Sequence, residues 1–334
     1  MPSPVIEVKN LHKHFVSGRT GILRRGQHIL RAVDDVSFSI ERGEILALVG
    51  ESGCGKSTLA LTLIGLEKAT DGEILFDGQE VTHADAAQSK QLRRQIQMIF
   101  QDPYESLNPV MQIKDIIAET LEVHKIGANK RERTELVIAA LESAGLKPGQ
   151  QFMERYPHEL SGGQRQRVVI AGALVLEPSV FLADEPVSML DVSIRAEILN
   201  LLADLRRERG ISMLYITHDL STVAYIADRI AVMYLGRIVE IGPAQEVLNT
   251  PKHPYTKALR SVVPAPNPRL RGQHIVLEGE TPNPIDLPDY CRFAARCPYV
   301  IDRCMQIDPR LEPVGNHQHA ACIRADELSQ TNHR

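Results

Sequence analysis

The sequence predicts an α/β fold, and three observations carry that prediction. The apolar run Ile45-Leu-Ala-Leu-Val49 leads into the turn Gly50-Glu-Ser-Gly-Cys-Gly-Lys-Ser-Thr58 and then into a helical stretch at 59–66. Strand, glycine-rich turn and helix in that order make one βα unit. Two further short apolar runs, 180–183 and 212–217, end in ionisable residues, Asp184-Glu185 and His218-Asp219. Buried strands with Asp, Glu or His at their C-terminal ends, separated by helices, are how an α/β sheet presents polar chemistry. The 334 residues are 43% hydrophobic and 24% charged, the balance of an ordinary globular protein.

Taken in order, residues 5–8 read as a first strand, followed by Leu11-His-Lys-His-Phe15. Residues 17–28 are polar and basic with three glycines, the composition of an exposed loop. Residues 29–40 read as strand, with Val33, Val36, Phe38 and Ile40 partly alternating. Glu41-Arg-Gly-Glu44 turns into the strand at 45–49. Asp71-Gly72 and Asp77-Gly78 bracket Glu73-Ile-Leu-Phe76, a turn–strand–turn pattern suited to a small antiparallel sheet. A short basic helix at 91–94 and a strand at 96–100 lead into Gln101-Asp-Pro-Tyr-Glu-Ser-Leu-Asn-Pro109, whose turn residues predict a surface loop.

From 112 to 146 the apolar spacing becomes helical, through Ile113, Ile116, Ile117, Leu121, Leu136, Ile138, Ala140 and Leu141. That inserted piece ends near Pro148-Gly149, and Leu160-Ser-Gly-Gly-Gln164 opens another helix at 165–176. Residues 194–209 have helical period, and 230–234 with 237–241 read as a hairpin through Leu235-Gly236. Beyond Pro251 the prolines at 254, 264, 266, 268, 282, 284 and 288 leave little room for long elements. A boundary near 250 therefore separates a domain at 1–250 from an extension at 251–334.

The turn at 50–58 has a chemical reading. Its glycines let the backbone curl so that successive N–H groups face an anion, and the following helix N-terminus adds partial positive charge. Lys56 then reaches the β- and γ-phosphates of a nucleoside triphosphate, and the Ser57 hydroxyl ligates Mg²⁺. Gly50, Glu51, Ser52, Gly53, Cys54, Gly55, Lys56, Ser57 and Thr58 are the candidate binding residues. Cys54 fits as a small residue whose oxidation would obstruct phosphate. The net charge of −4 supplies no basic field for nucleic acid. No apolar run approaches the roughly 20 residues a membrane helix needs. Met-Pro-Ser-Pro-Val-Ile-Glu lacks the regions of a signal peptide, so the chain is expected in the cytoplasm, docked on a membrane through partners.

Five further stretches resemble the ATP-binding cassette (ABC) ATPases over roughly residues 5–250. Leu160-Ser-Gly-Gly-Gln164 matches the family signature, and Phe181-Leu-Ala-Asp184 followed by Glu185 looks like Walker B. Gln101 stands at the Q-loop, His218 at the switch histidine, and Ser188-Met-Leu-Asp191 resembles the D-loop with Met in place of the usual Ala. The resemblance implies a P-loop NTPase cassette: a RecA-like core, an antiparallel β subdomain and an inserted helical subdomain at about 112–175. Asp184 and Gln101 join Ser57 as Mg²⁺ ligands, since hard cations prefer oxygen. Glu185, pointing opposite to Asp184 on the strand, is the candidate general base, and His218 bonds the γ-phosphate. Phe15 matches the family's adenine-stacking position, with a core phenylalanine as the alternative. Ser161, Gly162, Gly163 and Gln164 start a helix and form a second anion-binding end. In the family this end closes on ATP held by an opposite subunit, with Asp191 near the seam, which implies a dimer.

His253-Pro-Tyr-Thr256 with Lys257-Ala-Leu259, Gly50-Glu-Ser-Gly-Cys-Gly55 and the 100–109 stretch resemble the oligopeptide/dipeptide importer ATPases. That likeness implies ATP hydrolysis at the cytoplasmic membrane face. It also implies a second, paralogous ATPase subunit, two transmembrane permease subunits and an extracytoplasmic solute-binding protein. Relatives also serve oligosaccharides and nickel, and a regulatory or assembly ATPase without transport is the alternative from another class. Four of the five cysteines, Cys291, Cys297, Cys304 and Cys322, lie in the extension. In a reducing compartment that clustering points to metal before disulfides. Four thiolates suit zinc or an iron–sulfur cluster, and the spacings resemble importer tails that carry 4Fe–4S.

Overall fold

The structure, a computed structural model, describes residues 3–17, 28–262, 275, 277, 279, 282–285, 287–315 and 317–330. The polar loop expected between 17 and 28, and Pro264, Pro266 and Pro268, lie outside them. The chain divides into two units, Met1–Glu41 with Ile45–His83 and Ile216–Arg334, and Arg42–Glu44 with Ala84–Tyr215.

The first unit opens with β1 (Ile6–Ser17), β2 (His28–Ile40), β3 (Ile45–Val49), α1 (Lys56–Leu63), β4 (Asp71–Phe76) and β5 (Gln79–Glu80). Four of these strands form an antiparallel sheet in the order β2-β1-β4-β5. Residues 6–8 and 11–15 belong to one strand, which Val5 precedes, and its register shifts at Val8/Leu11 and beyond, so bulges replace the break that the sequence suggests. In β2, Val36, Phe38 and Ile40 are buried with Ser37 exposed between, the alternation of a half-covered sheet. Asp71-Gly72 is not a turn but the start of β4. There Gly72 has φ +92°, and a Cβ would meet Asn10 O at 2.3 Å, so close backbone approach explains the glycine. β3 is buried at every position, as a strand covered on both faces must be.

The second unit contains α2 (Ala86–Gln95), β6 (Ile96–Ile99), α3 (Pro103–Ser106), α4 (Ile113–Val123), α5 (Lys130–Ser143), α6 (Gln150–Met153), α7 (Gly162–Leu174), β7 (Val180–Asp184), α8 (Val192–Arg209) and β8 (Ser212–Thr217), whose last two residues fall in the first unit. β6 and β7 pair in parallel, with β8 next to β7. The basic helix near 91–94 is longer than its apolar content predicts because Asp85 and Gln88 form a capping box at its start. α4 buries Ile113, Ile117 and Leu121, and α5 buries Val137, Ala140 and Leu141; Ile116, Leu136 and Ile138 flank those stripes half-buried.

The chain returns to the first unit through α9 (Leu220–Ile226), β9 (Arg229–Tyr234), β10 (Arg237–Pro243), α10 (Ala244–Asn249), α11 (Pro254–Ser261), β11 (Glu312–Pro313), β12 (His319–Ala320) and α12 (Ala325–Gln330). β9 and β10 form the expected hairpin, with Leu235 at φ +43° and Gly236 at φ +81°, the left-handed pair that a two-residue turn demands. β3 runs parallel to β9, and the strand order in this unit is β11-β12-β10-β9-β3. The cysteine-bearing end thus contributes β12, paired through Glu240↔Ala320 and Ile241↔His319, to the same sheet as β3.

Candidate functional site

The glycine turn between β3 and α1 is shaped by its neighbours. Gly55 sits at φ +111°, where a Cβ would lie 2.0 Å from Ala32 O; a Cβ on Gly50 would lie 2.2 Å from Met233 O. Neither position admits a side chain. Lys56 is buried, and its ammonium donates to Gly50 O (2.8 Å) and Glu51 O (3.0 Å) with Cys54 Sγ at 3.8 Å. Burial pushes the Cys54 thiol up, against the opposing pull of Lys56, so the thiol stays protonated. Gly55 supplies no side-chain cap to α1, which leaves the first-turn N–H groups to an anion. Ser52, Gly53 and Ser57 are exposed and Thr58 is half-buried. Phe15 is 37% exposed, with the Lys13 ammonium 4.5 Å from its ring centre, so it is no core residue. His218 is exposed just beyond β8, and Asp219 behind it caps α9 by accepting from Ser221 N (2.9 Å).

In the second unit Asp184 closes β7 and is buried. Glu185 leaves the strand at once, at φ +47°. Strand alternation therefore does not set its direction. A left-handed conformation does, unusual for a residue with a Cβ and of the kind that persists at functional sites. Gln101 Nε2 donates to Glu185 Oε2 at 3.1 Å, bringing together two residues the sequence separates by 84 positions.

Ser161 caps α7, with Gln164 N donating to Ser161 Oγ (3.3 Å) and Ser161 N donating to Gln164 Oε1 (3.1 Å). This capping box accounts for Ser161 and Gln164 as helix-start chemistry, so an ordinary cap explains more of the signature than its sequence suggests. Gly163 has a steric reason: a Cβ would sit 2.4 Å from Ile194 Cγ2 of α8, whereas Gly162 has room. Asp191 caps α8 by accepting from Ile194 N (3.0 Å).

The end of the first unit carries groups that sequence reading alone does not find. Glu240 is fully buried and accepts from Lys252 N (2.8 Å), His253 N (2.8 Å) and Gln318 Nε2 (2.6 Å); burial pushes its carboxyl up against these bonds. His253 Nδ1 accepts from Tyr255 N (3.1 Å), capping α11, and burial holds its ring down at about 3. Tyr255 accepts from Glu51 N through its hydroxyl (2.8 Å). Arg296 forms a two-pronged pair with the Glu51 carboxylate at 2.8 and 3.2 Å.

Cys291, Cys297, Cys304 and Cys322 line one pocket, with Phe293, Tyr299 and Leu328 among its walls. None of the five cysteines is in a disulfide. Burial, reinforced by the neighbouring sulfurs, pushes the Cys291 and Cys297 thiols up to about 11 and raises Cys322. A cation must displace those protons to bind. Among the described residues no three of these sulfurs come within 4.8 Å of one another. Tetrahedral zinc, with Zn–S near ~2.3 Å, draws its sulfurs to about 3.8 Å. The three groups that do gather so closely are His12, His14 and Asp34. Burial would raise the Asp34 carboxyl, but Arg292, His14 and Arg237 hold it well below the carboxylate range. Guanidinium groups already satisfy that carboxylate, so a metal ion is not needed there.

An uncapped helix N-terminus behind two sterically enforced glycines and a buried lysine defines a phosphate-binding loop on an α/β sheet, the site of a P-loop nucleotide-binding protein. Residues 33–188 match the family described as ABC transporter, and residues 239–304 match the oligopeptide/dipeptide transporter C-terminal region. The chain is 49% identical over 323 residues to the oligopeptide transport ATP-binding protein OppF of Haemophilus influenzae, covering 96% of this chain and 97% of that one. It is 44% identical over 327 residues to the dipeptide transport ATP-binding protein DppF of Escherichia coli, covering 98% and 96%. A dimeric ATP-binding cassette, MJ0796, solved in a post-hydrolysis state with ADP and Pi, superposes with TM-score 0.62 at 29% identity, over 72% of this chain and 98% of that one. The chain belongs to the ABC transporter ATPases, and it carries the C-terminal region of their oligopeptide/dipeptide branch. No helix among the described residues is long and apolar enough to cross a membrane.

Proposed function

We propose that this protein is the ATP-hydrolysing subunit of an ABC importer that drives uptake of oligopeptides or dipeptides. It works at the cytoplasmic membrane face with two permease subunits, an extracytoplasmic solute-binding protein and a second, paralogous ATPase. The observation that carries this reading is the joining of a formed phosphate loop to the peptide-transporter C-terminal region within one unit. Nearly full-length identity to DppF and OppF supports it.

In this reading Gly50, Ser52, Gly53, Cys54, Gly55, Lys56, Ser57 and Thr58 hold the phosphates, Glu51 shapes the loop through its tied backbone, and Phe15 stacks on adenine. Ser57, Gln101 and Asp184 supply oxygen ligands of the kind Mg²⁺ takes. Glu185 draws a proton from the attacking water, held meanwhile by Gln101, and His218 steadies the γ-phosphate. Ser161, Gly162, Gly163, Gln164 and Asp191 serve the nucleotide of the second ATPase. The cassette spans 1–250, with its helical subdomain at about 112–175, and the extension spans 251–334. Cys291, Cys297, Cys304 and Cys322 hold a 4Fe–4S cluster. Four soft thiolates lining one pocket suit a cluster or zinc, and the cysteine spacing, which resembles that of importer tails, favours the cluster. Bound there, it would tie four chain segments to one inorganic core.

Two measurements test the reading. Reconstituted with its permeases, the ATPase should be stimulated by peptide-loaded binding protein; stimulation by another solute class alone overturns the peptide assignment. Anaerobically purified protein should contain about four iron and four sulfide per chain; about one zinc and no iron overturns the cluster.

A further inference from the structure

Glu51 is an oddity in a loop that binds anions: a carboxylate among the N–H groups that face phosphate. Every polar group of this residue is nonetheless tied. Its N–H donates to the Tyr255 hydroxyl (2.8 Å), its carbonyl accepts from Lys56 Nζ (3.0 Å), and its carboxylate takes both prongs of Arg296. Tyr255 and Arg296 stand 204 and 245 residues away in sequence, in the region that matches the peptide-transporter C-terminus.

Both braces are themselves held rigidly. Tyr255 is fully buried, with its ring 4.7 Å from that of Tyr234 and 5.5 Å from that of Phe293. The Arg296 side chain is only 8% exposed, and its guanidinium carbon lies 6.0 Å from the Tyr234 ring centre. It is carried on a single 3-10 turn, Ala294–Arg296, between Cys291 and Cys297. A planar fork on a carboxylate is the strongest of the charge-assisted pairs, and its geometry is specific to arginine.

We propose that Arg296 and Tyr255 are positioning residues of the phosphate-binding loop. Arg296 cancels the Glu51 charge that arriving phosphates would otherwise meet, and Tyr255 fixes the Glu51 backbone beneath it. The nucleotide affinity of the cassette is thereby set from the C-terminal region. An uncancelled carboxylate inside the loop lies well within a Debye length of ~8 Å, so salt does not hide it from bound phosphate.

The inference rests on residues 50–58 being the phosphate loop, and MgADP binding by the unaltered full chain tests that point separately. The experiment is a charge cycle on MgADP affinity measured by calorimetry, with the melting temperature of each nucleotide-free variant recorded alongside. Arg296→Gln should weaken MgADP about tenfold or more, Glu51→Gln should bind no more weakly than wild type, and the double variant should return to within about threefold of wild type. Arg296→Lys, which keeps the charge but loses the fork, should fall between wild type and Arg296→Gln. A residue that only staples the C-terminal region to the loop predicts the opposite, a double variant as weak as Arg296→Gln or weaker. That result overturns the proposal. So does MgADP affinity in Arg296→Gln within about twofold of wild type, or Arg296→Lys as weak as Arg296→Gln.

Discussion

His253 makes the stability of the first unit depend on pH in a direction that can be worked out. Its ring is 2% exposed, accepts from Tyr255 N at 3.1 Å and packs 5.6 Å from the Phe293 ring. Burial lowers its pKa from 6.5 to about 3, because protonation would place a charge where no water reaches and would remove the acceptor that caps α11. In the unfolded chain the same imidazole takes up its proton near 6.5. Its contribution to stability is therefore complete above pH 6.5 and is lost as the pH falls toward 3. Each pH unit in that window costs about 1.4 kcal/mol, and the whole window of about 3.5 units costs at most about 5 kcal/mol. His253→Asn keeps a capping oxygen and removes the titration. Urea unfolding between pH 4 and 7.5 can be followed through tyrosine, since the chain has no tryptophan and Tyr234 and Tyr255 lie in the same cluster. The variant starts less stable at neutral pH through lost packing, but its stability should fall less steeply with acid, by about 1.4 kcal/mol per unit. Carboxylates such as Asp34 act on both proteins and cancel in the comparison. Parallel slopes for the two proteins would refute the argument.

Glu185→Gln should lower ATP turnover about 100- to 10,000-fold, the usual worth of a general base, while MgADP affinity stays within about twofold; near-normal hydrolysis removes Glu185 from that role. Gly163→Ala places a methyl group 2.4 Å from Ile194 Cγ2 and should cost about 1–3 kcal/mol by overpacking. Differential scanning calorimetry checks this, and Ile194→Ala in the same chain should recover most of the loss.

The phosphate loop was legible because all its parts are local. The apolar strand, the glycines and Lys56 fall within about a dozen residues, and their spacing carries the geometry. The all-buried strands β7 and β8 and the hairpin at Leu235-Gly236 were legible for the same reason. Reading failed where backbone detail overrides a residue's usual habit. Asp71-Gly72 looks like a turn and is a strand paired with β1 through His12↔Asp71, its glycine required because Asn10 leaves no room for a Cβ. Glu185 looks like the next residue of a strand and is a left-handed turn.

By itself, then, the sequence determined the α/β class, the phosphate-binding loop and the order of elements along the chain, since each is written in residues close enough to pattern one another. Only the tertiary structure decided that Glu51 pairs with Arg296 and is anchored by Tyr255, and that Gln101 meets Glu185. Those three contacts join residues from 84 to 245 positions apart. No local periodicity encodes such a pairing. It arises when strands and helices bury their apolar faces together and bring the polar groups at their ends into reach.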